Sequence, residues 1–191
     1  MTKAPNGHKI ANDYRAVTEF VKKQHQTGKK IVLTQGSFDM LHIGHARYCR
    51  EAKKYGDILI VGVDSDQKIR TRKGKGRPVV PQDERLEMLA HLEYVDLVVL
   101  KQLKMPKWEL IKIVKPDVLI ATKQTYNKKQ INALQEICGQ VIVLNPMATT
   151  STSARIRLVQ IEAAQKIQKT LTHKLINTIE EALSELKGDK K

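Results

Sequence analysis

The chain has 191 residues, of which 41% are hydrophobic and 28% are charged, and its formal net charge at neutral pH is +14. This length fits one well-buried domain and is too short for two large ones. Such an excess of positive charge attracts anions, which include nucleic acids, membrane surfaces and small phosphorylated compounds. Charge alone does not choose among them, because a solvated basic surface needs no partner.

The sequence carries no apolar run that indicates a membrane span or a secretion signal. No stretch approaches the ~20 apolar residues of a span, and the first residues, "MTKAPNGHKIANDY", hold no apolar core. We therefore predict a cytoplasmic protein. Cys49 and Cys138 stand in neither a CxxC nor a metal-ligand pattern, so both are predicted to be small buried hydrophobic side chains.

The predicted elements alternate between helices and apolar strands. In chain order they are a helix at 11–28, the strand "KIVLTQGS", the helix "ARYCREAKKYG", the strand "DILIVGVDSD", a basic glycine-containing loop, the helix "PQDERLEMLAHLEYV", the strand "DLVVL", the helix "PKWELIKIV", the strand "DVLIAT", the helix "NKKQINALQEICG" and the strand "QVIVLN". Continuous apolarity is typical of strands in a parallel sheet covered on both faces. We predict a doubly wound α/β fold with five parallel strands, its core at 30–157.

The tail from Leu158 onward is predicted to be one long amphipathic helix. Apolar residues recur there at steps of three and four, at Ile161, Ala164, Leu171, Leu175, Ile179, Ala182 and Leu186. We expect a helical extension at 158–191 that follows a domain at 1–157. Such a face packs on its own domain or on a partner subunit, and we predict a homodimer.

The segment "GSFDMLHIGH", residues 36–45, follows the first strand of the predicted core, where doubly wound sheets bind their ligands. His45 opens the next helix, whose unpaired N–H groups and macrodipole favour a phosphate. His42 and His45 can both donate Nε2–H bonds to phosphate oxygens, and Gly44 lets the backbone approach closely. The alternative is a pair of helix-start histidines with local hydrogen bonds only.

Three blocks of the sequence resemble the cytidylyltransferase-like nucleotidyltransferases. They are "SFDMLHIGHARYCREAKKYGDILIVGVDSD", "RKGKGRPVVPQDERLEML" and "TSTSARIR", which occur in the family's order and span most of residues 30–157. The tetrapeptide "HIGH" is also a signature of class I aminoacyl-tRNA synthetases. A chain of this length has no room for their additional domains, so the first resemblance is preferred. It implies a Rossmann-like fold.

The same resemblance implies transfer of a nucleoside monophosphate from a triphosphate to a phosphorylated acceptor, with release of pyrophosphate. A phosphate monoester is largely ionised at neutral pH, so the site needs positioning and charge neutralisation rather than a general base. Mg²⁺ is expected on the triphosphate, and we assign no metal site to protein side chains.

The residue roles below follow from the match to the family's motifs. The predicted catalytic residues are His42, His45, Lys73 and Arg85, the last holding the acceptor phosphate or the leaving group. The predicted nucleotide-binding residues are Gly36, Ser37, Phe38, His42, Gly44, His45, Ser151, Thr152 and Ser153. The predicted acceptor-binding residues are Asp39, Lys73, Arg85, Lys123 and Tyr126.

The region after the second block looks most like the adenylyltransferases of sugar 1-phosphates, in particular the heptose type that uses ATP. Two segments depart from that group: "KQLKMP" replaces an acidic stretch, and "ATKQTYNKK" replaces a glycine- and aspartate-containing one. Their lysines suggest a more anionic acceptor. Transfer of CMP from CTP to glycerol 3-phosphate or another phospho-alcohol remains an alternative, as does a non-catalytic nucleotide- or nucleic-acid-binding protein. Aromatic residues make up only 4% of the chain, so a base-stacking platform is poorly supported.

Overall fold

The computed structural model describes residues 9–11, 13–122, 125–148 and 152–188. The chain divides into two compact units, residues 1–149 and residues 150–191. In chain order the elements are β1 (Ile10–Ala11), α1 (Tyr14–Gln26), β2 (Ile31–Gly36), α2 (Ile43–Lys53), β3 (Ile58–Asp64), α3 (Asp66–Lys73), α4 (Gln82–Ala90), β4 (Leu97–Lys101), α5 (Glu109–Val114), β5 (Val118–Thr122), α6 (Lys128–Gln135), β6 (Gln140–Leu144) and α7 (Thr152–Gly188).

The strands form one parallel sheet in the order β1-β4-β3-β2-β5-β6. This confirms the predicted α/β fold with a parallel sheet, and all five predicted strands are present. The chain runs outward from β2 in both directions, so the strand order reverses between β2 and β5. Ligands of doubly wound sheets bind at such a point, beyond the carboxyl ends of the strands.

A sixth strand, β1, extends the sheet by pairing with Val98 and Val99 of β4. Its residue Ala11 falls inside the helix predicted at 11–28, so the predicted start of that helix was wrong. The helix begins at Tyr14 because the Asp13 carboxylate accepts a hydrogen bond from the Ala16 N–H and caps it. A strand of two residues is too short to show a periodic signal in the sequence.

The segment predicted as a basic loop also contains α3. Ser65 caps this helix by accepting a hydrogen bond from the Lys68 N–H at 3.3 Å, and Gly74 follows its last residue with φ +93°. Its one buried residue is Ile69, so the helix has no apolar periodicity for a sequence pattern to reveal. Lys73 therefore ends a helix rather than lying in the loop.

Two apolar clusters cover the two faces of the sheet. Helices α2 and α4 pack on one face, and α1, α5 and α6 pack on the other. Successive residues of β3 contribute to opposite clusters, as Leu59 and Ile60 do, because side chains alternate along a strand. Cys49 and Cys138 are free and buried, one in each cluster, which confirms their prediction.

The second unit contains α7, which begins at Thr152, ahead of the start predicted at Leu158. Apolar side chains along it are exposed: Leu158, Val159, Ile161, Ile167, Leu171, Leu175, Ile176, Ile179 and Leu183. Among the residues that the structure describes, no helix combines the length and the apolarity needed to cross a membrane.

Candidate active site

The two motif histidines form the N-terminal cap of α2. His42 has extended backbone angles, and its Nδ1 accepts a hydrogen bond from the Gly44 N–H at 3.0 Å. The His42 N–H in turn donates to Nδ1 of His45 at 3.3 Å. Because Nδ1 accepts in both rings, the proton of each neutral ring lies on Nε2. Local hydrogen bonding and phosphate binding, which the sequence left as alternatives, therefore use different nitrogens and are compatible.

Burial and charge keep the His45 ring neutral. Its pKa is lowered from 6.5 to about 4, first because the ring is buried and then because His42 lies beside it; Asp39 acts in the opposite direction, and Lys73 lowers the pKa further. The centroids of the two imidazoles are 4.1 Å apart, and Phe38 lies 5.5 Å from the His45 ring. A neutral imidazole donates one hydrogen bond from Nε2 and needs no protonation step at physiological pH.

The turn before the histidines is tightly constrained. Phe38 and Met40 both adopt left-handed backbone angles, with φ of +48° and +50°, which non-glycine residues rarely do. At Gly44 an added Cβ would lie 2.7 Å from Cε1 of His42 and 2.8 Å from Cβ of Ala148. Glycine is therefore required there because the His42 ring and the residue 148 segment approach the helix start so closely.

Asp39 ties this turn to the segment after α3. Its buried carboxylate accepts hydrogen bonds from the N–H groups of Val79 and Val80 and pairs with Arg77 at 2.8 Å. Burial raises the pKa of Asp39, but the Val80 and Val79 N–H groups together with Arg77 outweigh it and hold the pKa below its ordinary value. These contacts show Asp39 orienting the loop at 77–80, and its predicted role in binding the acceptor stays a prediction.

Lys73 extends from the end of α3 to the motif turn. Its Nζ donates to Oγ of Ser37 at 3.1 Å, so the two predicted residues lie together at the end of β2. Burial lowers the pKa of Lys73, and the nearby guanidinium groups of Arg72 and Arg77 lower it further. These repelled positive charges favour a bound anion, since the anion would relieve the repulsion.

Arg85 has a different place from the one predicted. Its side chain is fully buried, and its guanidinium donates to the carbonyl oxygens of Val80, Ser37 and Asp64 and to Oδ1 of Asp66 at 2.7 Å. The guanidinium thus joins the ends of β2 and β3 to the segment before α4. These contacts use most of the donors of the guanidinium and make Arg85 a brace, while its predicted contact with the acceptor phosphate or the leaving group stays a prediction. The sequence could not distinguish a brace from a ligand.

The remaining predicted residues are dispersed or lie outside the described part. Tyr126 packs against the apolar cluster of α1, α5 and α6, and burial raises its pKa above the ordinary value. Gly36 ends β2 beside Val63, and a Cβ there would lie 3.2 Å from the Phe38 ring. Lys123 and Ser151 lie outside the described residues, as do the side chains of Thr152 and Ser153.

One charged cluster was not predicted. The buried carboxylate of Asp64, at the end of β3, lies 3.1 Å from Nζ of Lys101 and 2.9 Å from Nη2 of Arg72. The two positively charged residues come from β4 and from the last turn of α3, the helix that the sequence did not reveal. The one usable signal was that charged residues end two neighbouring apolar strands, which brings them to the same edge of a parallel sheet.

The site is suited to an anion rather than to a metal ion held by protein ligands. In the described part of the chain, no group of three or more His, Cys, Asp or Glu side chains could hold a metal ion. Asp39 already accepts from two N–H groups and a guanidinium. A divalent ion that enters with a triphosphate takes most of its oxygen ligands from phosphate and water. The imidazole and lysine side chains of this site would then bind the phosphate oxygens and not the metal ion.

The protein-family model described as "Cytidylyltransferase-like" matches residues 33–157, which include the turn, both histidines, Lys73 and Arg85. The chain belongs to the cytidylyltransferase-like family. The family membership predicted from the motifs is confirmed, and the match supports the interpretation of the site as one of nucleotidyl transfer.

Similar curated proteins are longer than this chain. The bifunctional protein HldE of a Nitratiruptor species is 41% identical over 152 residues, which are 80% of this chain and 32% of that protein. The bifunctional protein HldE of Aliarcobacter butzleri is 37% identical over 155 residues, 81% of this chain and 32% of that protein. The chain thus spans about a third of the length of these relatives.

Solved structures share the fold. The lipopolysaccharide core biosynthesis protein of Thermoplasma volcanium is 27% identical, with a TM-score of 0.57 over 63% of this chain and all of that chain. The pantoate–β-alanine ligase of Francisella tularensis is 20% identical, with a TM-score of 0.59 over 86% of this chain and 79% of that chain. The second likeness concerns the fold alone.

Proposed function

We propose that this protein transfers AMP from ATP to a sugar 1-phosphate of the heptose type and releases pyrophosphate. The observation that carries the proposal is the histidine pair at the start of α2. Both rings use Nδ1 for capping, so both have Nε2–H as the donor for phosphate oxygens. Membership of the cytidylyltransferase-like family and the likeness to HldE proteins support the reaction class.

The reaction is a single in-line displacement. An oxygen of the acceptor phosphate attacks the α-phosphorus, the new P–O bond forms opposite the bond to pyrophosphate, and that second bond breaks as pyrophosphate leaves with its electron pair. No proton has to be removed from the acceptor, because a phosphate monoester is mostly dianionic at neutral pH. The protein's task is to bring several negative charges together and to hold them in line.

The described residues divide this task. His42 and His45 donate to the triphosphate where negative charge builds up, and the helix start adds the partial positive charge of its dipole to the same place. Lys73, which lies against Ser37, bridges the acceptor phosphate and the α-phosphate. Asp39 and Arg85 act indirectly, since they hold the turn and the ends of β2 and β3. Mg²⁺ bound to the triphosphate supplies further charge neutralisation.

A matrix of triphosphates and acceptors tests the proposal. ATP and CTP are each combined with heptose 1-phosphate, glycerol 3-phosphate, phosphocholine and FMN in the presence of Mg²⁺, and pyrophosphate release is measured. We expect release with ATP and heptose 1-phosphate. Release only with CTP and glycerol 3-phosphate would establish the cytidylyltransferase alternative instead. If triphosphate binds but no pair of triphosphate and acceptor turns over, catalysis is refuted. Binding to nucleic acid that weakens with salt and is unchanged in His42→Ala would favour the nucleic-acid alternative.

We also infer a homodimer formed by antiparallel pairing of α7 with a second copy. Exposed apolar residues run along the helix, including Leu171 and Leu175. Lys166 and Lys169 precede Leu171 on this helix, and Glu180 and Glu181 follow Leu175, so an antiparallel copy centred on these leucines brings opposite charges together. Sedimentation velocity should show the full chain as a dimer and the double variant L171K/L175K as a monomer. A wild-type monomer at micromolar concentration would contradict the inference.

The cytoplasmic location stays a prediction.

A further inference from the structure

The ionic cluster around Asp64 contains more positive charge than its carboxylate needs. Asp64 is only 2% exposed, and it is approached by Lys101 at 3.1 Å, Arg72 at 2.9 Å and Lys68 at 3.9 Å. One cation balances one buried carboxylate, so three cations leave a local surplus of two positive charges. Such a surplus in a half-buried place is costly unless a further anion neutralises it.

The surplus charge can be reached from solvent. The side chain of Arg72 is 53% exposed and that of Lys68 is 28% exposed, whereas that of Lys101 is 16% exposed. Burial lowers the pKa of Lys101, and Lys68 and Arg72 lower it further, while Asp64 opposes them. The cluster therefore has a buried carboxylate, that of Asp64, and positively charged groups that solvent can reach, chiefly the guanidinium of Arg72.

An unsatisfied amide lies beside the cluster. Nε2 of Gln35 is buried and has no hydrogen-bond partner among the described residues. Gln35 and Lys101 approach one another over Gly62, where an added Cβ would lie 2.9 Å from Cδ of Lys101 and 3.1 Å from Cγ of Gln35. A buried donor without an acceptor costs free energy, which an oxygen of a bound ligand would recover.

The cluster is connected to the phosphate site by the last turn of α3. Arg72 and Lys73 are consecutive residues, yet Arg72 reaches Asp64 at the end of β3, whereas Lys73 reaches Ser37 at the end of β2. A molecule whose phosphate lies at Lys73 can therefore extend along the carboxyl edge of the sheet toward Arg72 and Lys101. The ends of these neighbouring parallel strands lie about 5 Å apart, which is within the span of one sugar ring.

We propose that Arg72, Lys101 and Gln35 form a subsite for a second anionic group of the acceptor, remote from the phosphate that attacks ATP. Among sugar 1-phosphates, the site then prefers an acceptor that also carries a carboxylate or a second phosphate to one whose only charged group is the 1-phosphate. Arg72 and Lys101 pair with this group, and the Gln35 amide donates to one of its oxygens. The inference rests on the proposed function, because it assigns the acceptor of that same reaction.

Three commercial sugar phosphates test the subsite: glucose 1-phosphate, glucose 1,6-bisphosphate and glucuronic acid 1-phosphate. Their binding to the full chain is measured by calorimetry without ATP, and their turnover is measured by pyrophosphate release with ATP and Mg²⁺. We expect the two doubly anionic sugars to bind at least ~10-fold more tightly than glucose 1-phosphate, which corresponds to one charge-assisted contact. Equal affinity for all three would overturn the proposal.

Single substitutions test which residues produce the preference for doubly anionic sugars. Arg72→Gln removes the most exposed cation while Lys101 and Lys68 still balance Asp64, so the fold should persist. It should raise KM about 10-fold for the doubly anionic sugars, raise KM for glucose 1-phosphate much less, and be rescued in part by Arg72→Lys. Lys112→Met, which removes an exposed lysine of α5, is the matched control. Equal effects of Arg72→Gln on all three sugars would assign Arg72 a structural role and refute the subsite.

The design separates this inference from the proposed function. A binding preference that Arg72→Gln abolishes, with no turnover of any acceptor, would support the subsite and refute adenylyl transfer. Turnover with no preference between singly and doubly anionic sugars would support the transfer and refute the subsite. Should Arg72→Gln alter the fold, Lys101→Met serves instead, because Arg72 and Lys68 still balance Asp64; it should weaken binding of the doubly anionic sugars more than that of glucose 1-phosphate, and an unchanged preference would refute the subsite.

Discussion

Acidic residues stand at both ends of the parallel sheet, and their partners differ. At the amino ends, Asp57, Asp117 and Asp96 each accept a hydrogen bond from a backbone N–H at or just before a strand, those of Lys30, Ile31 and Leu59 at 2.7–2.8 Å, and Asp96 also pairs with the single cation Lys53. At the carboxyl ends, Asp39 holds a turn and Asp64 is surrounded by cations that exceed its charge. The first set satisfies the backbone locally, whereas the second leaves positive charge unbalanced.

This difference teaches that the number of charged residues does not identify a binding edge. The parallel strands begin with N–H groups that need acceptors, and a single aspartate satisfies each of those noted above. At the opposite edge, the start of α2 adds the partial positive charge of its helix dipole to that of Lys73 and Arg72. The positive charge at the carboxyl edge therefore attracts an anion, whereas the amino edge offers no comparable attraction.

The largest expected effect is the loss of stability when Arg85, which braces the carboxyl ends of β2 and β3, is replaced. Arg85→Met should lower the free energy of unfolding by about 3–5 kcal/mol, because the Asp66 carboxylate and three carbonyl oxygens lose their donor in a buried place. Chemical denaturation measures the change. Arg70→Met is the matched control, since Arg70 is exposed and lies 3.8 Å from the same carboxylate. Equal stability of the two variants would show that Arg85 does not brace the fold.

The second effect tests whether the histidines act on the reaction rather than on the helix. His42→Asn keeps a good capping side chain but removes Nε2–H, so we expect wild-type thermal stability and a fall in kcat of ~10²-fold. His25→Asn, at an exposed histidine of α1, should change neither quantity. An unaltered kcat in His42→Asn would leave these rings with a capping role alone.

A smaller effect is expected at the amino edge. Asp117→Ala leaves the Ile31 N–H without its acceptor and should cost ~1–3 kcal/mol of unfolding free energy with kcat unchanged. Asp117→Asn retains an oxygen acceptor and should recover most of that loss. A fall in kcat without a loss of stability would contradict the division of roles between the two edges.

The last prediction concerns the pH dependence of stability. His45 has a pKa of about 4 in the folded chain and 6.5 when exposed, so the unfolded chain binds a proton in this range that the folded chain excludes. The free energy of unfolding should therefore be constant above pH 6.5 and fall as the pH drops from 6.5 towards 4. His45→Gln should remove this part of the pH dependence. An NMR titration in which His45 shows a midpoint near 6.5 would contradict the burial argument.

The sequence predicted the fold because the signals it needed were local. Continuous apolar runs such as "ILIVGV" indicate buried parallel strands, and the helices between them carry glycine stops or caps. Strand β1 and helix α3 were missed for the same reason, since two residues carry no period and α3 buries only Ile69. The motif turn was also predictable, because the spacing of Gly36, His42 and His45 resembles that of the family's motif and the segment follows an apolar strand.

The sequence by itself determined the parallel α/β sheet, the histidine cap at its central strand and the family to which the chain belongs. Tertiary structure alone decided that Arg85 is a buried brace, and that Asp64, Lys101 and Arg72 meet with an unsatisfied Gln35 nearby. Spacing along a chain specifies a helix start or a strand. The pairing of residues 37 positions apart depends on strand order and register, which no local pattern encodes.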